Sequence, residues 1–173
     1  MKKYYSNIDD LIEELAIAYY TNDSTSNINS ILRGSRVIHH NETNVSFGIG
    51  FRELDAYIYE LSELTIAKQL DEDTILYRGL RETPKIIEYI DNKCFPEKGF
   101  CSTSFDKNTA IMHSYTIKDN IKTKGWIMQI YAPKNTSGAF LEQHPIIPSE
   151  MEFLMPQNLK FHLFDVNYEK KRI

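Results

Sequence analysis

The chain has 173 residues, of which 42% are hydrophobic and 25% charged, an ordinary globular composition of one-domain length that needs no covalent staple. Cys94 and Cys101, the two cysteines, are too few for a disulfide scaffold and read as free thiols in a reducing compartment. Twenty basic side chains against 24 acidic ones leave a net charge of −4, whereas a protein that lives on phosphate-backbone contacts carries a basic excess.

Met1-Lys2-Lys3 opens like a signal peptide, but Asp9, Asp10, Glu13 and Glu14 interrupt the apolar stretch that would have to follow. The apolar runs fall far short of the roughly 20 residues of a membrane span. Four Asn-x-Ser/Thr triplets, at Asn22, Asn41, Asn44 and Asn135, reflect an Asn-rich composition.

Ile8, Leu11, Ile12, Leu15, Ala16 and Tyr19 recur at three- and four-residue steps, one buried helix face capped by Ser6 or Asn7. From Thr21 to Gly50 the chain is polar and rich in Asn and Ser; this stretch reads as a loop with one helical turn at Ile28, Ile31 and Leu32. Phe51, Leu54, Ile58, Leu61 and Thr65 mark a second helix, ended by the turn Asp71-Glu72-Asp73. Thr74 to Gly79 reads as a short buried strand, and Pro84 starts a brief helix through Ile86, Ile87 and Ile90.

Beyond Lys98-Gly99 the pattern is mostly β. Strands are expected at Phe100–Ser104, Trp126–Ala132, Glu152–Met155 and Leu159–Val166, with a helix at Lys107–Tyr115. Helices first and strands later predict an α+β fold, a helical cap on a strand core. Residues 1–173 are read as a single domain, 1–70 mainly helical with its polar loop at 21–50 and 71–173 β-rich.

The standard catalytic constellations are missing. His39, His40, His113, His144 and His162 have no metal-ligand spacing, so no metal is expected. Gly48-Ile49-Gly50 lacks both the third glycine and the preceding strand of a dinucleotide turn, and no Gly-x-Ser-x-Gly elbow occurs. Cys101 lies on an apolar strand and reads as core packing.

Three local oddities remain. Arg78 is embedded in Ile-Leu-Tyr-Arg-Gly-Leu; on that feature alone, a strand-end arginine reaching solvent is the plainer reading, and a bidentate anchor for phosphate or carboxylate the functional one. Ser102-Thr103-Ser104 places three hydroxyls in a β core. Glu150 and Glu152 open an apolar strand, where two-residue spacing would put both carboxylates on one face about 6.5 Å apart. Buried there, they would need donors or a ligand to offset desolvation.

In order, Tyr77-Arg78-Gly79, then Gly99-Phe100-Cys101-Ser102-Thr103-Ser104, then Pro148-Ser149-Glu150-Met151-Glu152-Phe153-Leu154-Met155-Pro156, resemble the arginine–serine–glutamate class of mono-ADP-ribosyltransferases. The likeness covers Thr74 to the C-terminus. It implies an ADP-ribosyltransferase-like fold, N-terminal helices on a split mixed or antiparallel β-sandwich, and NAD as co-substrate. The bond broken would join nicotinamide to ribose through an oxocarbenium-like transition state.

By this resemblance Glu152 accepts from the ribose 2-hydroxyl and stabilises charge developing at the anomeric carbon. Arg78 forks onto the NAD phosphates, the Gly79 backbone meets the nicotinamide amide, and Ser102 fixes the Glu152 rotamer, with Thr103 and Ser104 lining the same strand. Phe105 and Tyr115 are candidates for stacking on nicotinamide, with core packing the plainer role. The Glu-x-Glu form implies a protein arginine as acceptor, oriented and deprotonated by Glu150. Asn135 to Ser149 would form the acceptor turn, with Phe140 or Ile147 as its apolar contact. ADP-ribosylation of nucleic acid, served by a small Lys118/Lys122/Lys124 patch, and NAD hydrolysis are the other acceptor readings; a non-catalytic binding module is the reading from another class. No membrane partner is expected. The chain is expected to act as a stand-alone toxin, effector or phage modifier, in the cytoplasm of its producer or of a host cell after delivery.

Overall fold

The computed structural model describes residues 8–20, 25–34, 51–118, 120–141 and 151–173. Ser6, Asn7, His39, His40, Ile147 and Glu150 lie outside these residues.

Helices come first: α1 (Ile8–Tyr19), α2 (Thr25–Leu32) and α3 (Phe51–Ala67) precede β1 (Thr74–Leu80) and α4 (Pro84–Asp91). Then follow β2 (Cys94–Glu97), β3 (Cys101–Ser104), α5 (Lys107–Ser114), β4 (Thr116–Lys118), β5 (Ile121–Thr123), β6 (Trp126–Ala132), β7 (Ala139–Phe140), β8 (Glu152–Met155) and β9 (Leu159–His162). The principal sheet has the order β6-β1-β3-β8-β7, while β2 pairs with β9 and β4 with β5. Every paired strand in these sheets is antiparallel.

The sheet separates two apolar cores. One gathers Ala16, Tyr20, Ile28, Leu54 and Leu61 from the helical segment against Phe100 and Leu154. The other packs Leu76, Trp126, Met128, Phe153 and Met155 with Ile90 and Phe95. Phe153 and Leu154 are adjacent and enter opposite cores, as the two-residue period of a strand requires.

The polar stretch after α1 contains two helical turns, α2, where the sequence suggested one. Its apolar positions Ile28, Ile31 and Leu32 face inward, and Asn29, a poor helix former, serves a tertiary purpose. The Asn29 amide donates to the Tyr20 hydroxyl at 3.3 Å and its carbonyl oxygen accepts the Phe100 N–H at 2.7 Å. β2 carries Pro96 in its middle, which hid it from a propensity reading; it belongs to a two-stranded sheet, where an edge tolerates a residue without N–H. The β4–β5 hairpin has no buried face to generate alternation. The last strand stops at His162, short of Val166.

Local signals set the helix starts. Thr83 accepts from the Ile86 N–H ahead of Pro84, and Asp106 accepts from the Asn108 N–H at 3.0 Å. α5 packs directly on β1 at Gly79. A Cβ there would overlap the Ala110 carbonyl oxygen and approach the Ser114 amide nitrogen to 2.6 Å. Both obstacles are backbone, so neither can rotate away. Gly79→Ala is therefore expected to push α5 off the sheet and cost about 2–4 kcal/mol. A chemical denaturation midpoint equal to wild type would contradict this.

Candidate active site

β1 pairs with β6 along its whole length, from Thr74↔Ala132 to Leu80↔Trp126. Toward β3 it has one pair, Tyr77↔Ser104. Beyond that pair the strands part, with Arg78 and Gly79 on one side of the seam and Cys101 and Ser102 on the other. The three sequence motifs converge at this opening.

Glu152 begins β8 and is pinned from both sides. It pairs with Ser104 on β3, and its carbonyl accepts the Leu141 N–H at 3.0 Å. Its half-buried carboxylate accepts from the Ser102 hydroxyl at 2.5 Å. Ser102 pairs with Leu154, so it sits diagonally across from Glu152 on the same face of the sheet. The neighbouring hydroxyls have other work. Thr103 donates to the Phe153 carbonyl at 2.6 Å, and Ser104 accepts the Asp106 N–H at 3.0 Å, shaping the turn into α5. Thr103 and Ser104 thus lie on the same strand as Ser102, as expected, and each hydroxyl also bonds the backbone.

Of the expected pair Glu150 and Glu152, only Glu152 lies within the described residues. Met151 has φ 45°, in the left-handed region, and the strand starts at Glu152.

Arg78 is no solvent-reaching strand end. Its side chain is 15% exposed and its Nη2 contacts Glu97 Oε2 at 2.7 Å. Arg33, at the end of α2, grips the same carboxylate with Nε and Nη2 at 2.8–3.0 Å. Burial alone would raise the Glu97 carboxyl, but Arg33, Arg78 and the Gly99 N–H hold it below the ordinary carboxylate value. Arg78 Nη1 is buried without a hydrogen-bond partner, a cost unless an anion meets it. Arg33 was missed in the sequence because it lies inside the polar stretch 21–50; the helical spacing of Ile28, Ile31 and Leu32 just before it was the available signal. Glu97 was missed because Pro96 masked its strand.

Tyr20, fully buried, joins the two halves of the site. Its burial, then the negative charge of Glu152, push its hydroxyl far above an ordinary tyrosine, while Asn29 and Arg78 pull the other way. Glu152 and Arg78 thus act on one group with opposite sign. Burial likewise raises the Cys101 thiol, with Arg78 opposing it, which fits a protonated core side chain. The Arg33–Arg78 cluster walls a cavity of about 230 Å³ that also contacts Lys85, Tyr89, Phe95 and Lys98.

The aromatic candidates are both engaged. Phe105 stacks on Phe140 at 5.5 Å with 4° between the planes. Lys122 places its ammonium 3.9 Å from the Tyr115 ring centroid. Phe140 is 46% exposed beside Glu152's strand.

A serine-held glutamate thus lies near half-buried Arg78, which shares the Glu97 carboxylate with exposed Arg33. The sequence model of the ADP-ribosyltransferase exoenzyme family matches residues 1–172, and the chain belongs to that family. It is 27% identical over 149 residues to the NAD(+)–arginine ADP-ribosyltransferase EFV of Enterococcus faecalis, a match covering 84% of this chain. The chain spans about a quarter of that relative's length, 27%. In fold it is similar to Plx2a, an ADP-ribosyltransferase toxin from Paenibacillus larvae, with TM-score 0.62 at 20% identity over 86% of this chain and 73% of that one. It is similar also to C3stau2 from S. aureus solved with NAD, with TM-score 0.62 at 16% identity over 98% and 84%.

Proposed function

We propose that the chain is a mono-ADP-ribosyltransferase that cleaves the nicotinamide–ribose bond of NAD and transfers ADP-ribose to an arginine, its helical and strand segments working as one catalytic unit. The observation that carries this reading is the Ser102–Glu152 bond between β3 and β8, beside a seam whose other side carries Arg78. Buried, unpartnered Arg78 Nη1 fits a diphosphate oxygen.

In this reading Arg78 and Arg33 hold the diphosphate, and the open edge of β1 presents the Gly79 backbone to the nicotinamide amide. Glu152, fixed by Ser102, accepts from the ribose 2-hydroxyl. Its negative charge stabilises the positive charge that grows at the anomeric carbon as nicotinamide departs. Phe105, with its Phe140 partner, borders the nicotinamide end. Glu150 orients the acceptor guanidinium and takes its proton, since a carboxylate complements a planar cation.

The test is nicotinamide release from NAD by the purified chain in chelator, with and without agmatine, a free guanidine. Agmatine is expected to accelerate release. Glu150→Gln is expected to lose that acceleration by about 100-fold while keeping slow NAD cleavage, because only the acceptor's proton is at stake. Acceleration by RNA and not by agmatine would transfer the acceptor role to nucleic acid; no release under any condition would leave a binding module.

A further inference from the structure

Glu97 is 3% exposed, yet it is matched to more charge than it can neutralise. Its Oε1 accepts from Arg33 Nε at 3.0 Å, from Arg33 Nη2 at 2.9 Å and from the Gly99 N–H at 2.8 Å. Its Oε2 accepts from Arg33 Nη2 at 2.8 Å and from Arg78 Nη2 at 2.7 Å. One carboxylate thus holds two guanidinium groups. A simple structural ion pair would need one, and the second leaves an excess positive charge at a half-enclosed place.

That excess faces a cavity. Arg33, Arg78 and Glu97 all line it, with Lys85 and Lys98 on its rim. The cavity lining thus carries four cations and one carboxylate, a net charge of +3, and two of the cations touch that carboxylate. The geometry also decides which arginine donors are free. Arg78 spends Nη2 on Glu97 and keeps Nη1 buried and unpartnered.

We propose that Glu97 is a positioning residue for the nucleotide diphosphate: it clamps Arg33 and Arg78 together so that their remaining donors face one doubly charged oxyanion group. This rests on the reading of the chain as an NAD-using enzyme. The physical gain is preorganisation. Arginine side chains lose much rotamer freedom when they grip a ligand, and a carboxylate that fixes them beforehand removes that loss from the binding step. Glu97 also tethers the segment carrying Arg33, at the end of α2, to β2. Because Glu97 touches arginines and not the reacting carbon, its effect belongs on nucleotide affinity.

The experiment compares full-length wild type, Glu97→Gln and Glu97→Asp. It measures KM and kcat for nicotinamide release, inhibition constants for ADP and for nicotinamide, and thermal melts. Glu97→Gln keeps the shape but turns an amide toward two cations. It is expected to raise KM for NAD and the ADP inhibition constant together by about tenfold or more, the size of effect seen when a group that orients a ligating residue is lost. The kcat is expected to stay within about threefold, and nicotinamide inhibition to hold, because the reacting carbon is untouched.

A wild-type KM and ADP constant in Glu97→Gln, with only a lower melting temperature, would reduce Glu97 to a structural ion pair and overturn the inference. So would a uniform loss of ADP and nicotinamide affinity, which signals collapse of the site. If Glu97→Gln does not fold, Glu97→Asp decides, since it keeps the charge but withdraws it by one methylene: a higher ADP constant with a near-native melt supports the clamp, and an unchanged one overturns it. If wild type releases no nicotinamide, the NAD reading fails by itself, and ADP titration by calorimetry still reads the clamp; equal ADP affinity in wild type and variant, or no ADP binding to either, then overturns it.

Discussion

Glu152→Gln is expected to lower nicotinamide release, with or without acceptor, by about 10³-fold or more, the range for loss of a preorganised charge at a developing transition-state charge. The amide is nearly isosteric, and its oxygen still accepts from Ser102, now 2.5 Å from the carboxylate. Neither the Ser104 pairing nor the Leu141 N–H bond involves the side chain. The fold and NAD affinity are therefore expected to be retained, and what disappears is the negative charge proposed to face the anomeric carbon. Single-turnover rates with saturating NAD give the check. A loss below tenfold would remove Glu152 from the reaction centre. A parallel loss of NAD binding would mean the variant disturbed the site and not merely its charge.

Arg78→Gln is expected to damage two things at once. It removes the donor assigned to the diphosphate, raising KM for NAD. It also withdraws one of the two cations that hold buried Glu97 ionised. Arg33 and the Gly99 N–H remain, so the stability cost falls at or below the low end for a broken buried pair, about 2–3 kcal/mol, or a melting temperature lower by about 5–10 °C for a chain of this size. Glu97 has a folded value below its unfolded one, near 4.5. Its stabilisation is thus complete above that pH and is lost as pH falls through the folded value. Arg78→Gln depresses Glu97 less and so has less to lose on acidification. The gap in melting temperature between wild type and variant is expected to narrow below about pH 4.5. A gap constant from neutral pH down to about 3.5 would show that Glu97 is not the group through which Arg78 stabilises the fold.

Much of the fold was legible because its signals are local. The periodicity of Leu54, Ile58 and Leu61 marks α3, Pro84 marks the start of α4, and the apolar run Trp126 to Ala132 marks β6. Each element faces a core on at least one side, and burial writes a period into sequence. The elements that escaped have little or none to write: β5 is exposed, β4 is three residues long, β7 is two, β2 is broken by Pro96, and α2 is diluted by Asn and Ser, of which Asn29 makes tertiary bonds.

The same division runs through the site. The sequence by itself determined Arg78, Ser102 and Glu152, because each breaks an apolar strand with a group whose burial must be compensated, and because the order of their motifs carries a family resemblance. Only the tertiary structure decided that Ser102 reaches Glu152 diagonally across β3 and β8, and that Thr103 and Ser104 serve the backbone. Only it showed that Gly79 is small because α5 lies on it, and that Arg33, 45 residues before Arg78 in the chain, shares its carboxylate. The reason is physical: a hydrogen bond between distant residues needs complementary donors and acceptors at one place in space, and spacing along the chain carries no record of that place until the sheet order β1-β3-β8 and the docking of α2 create it.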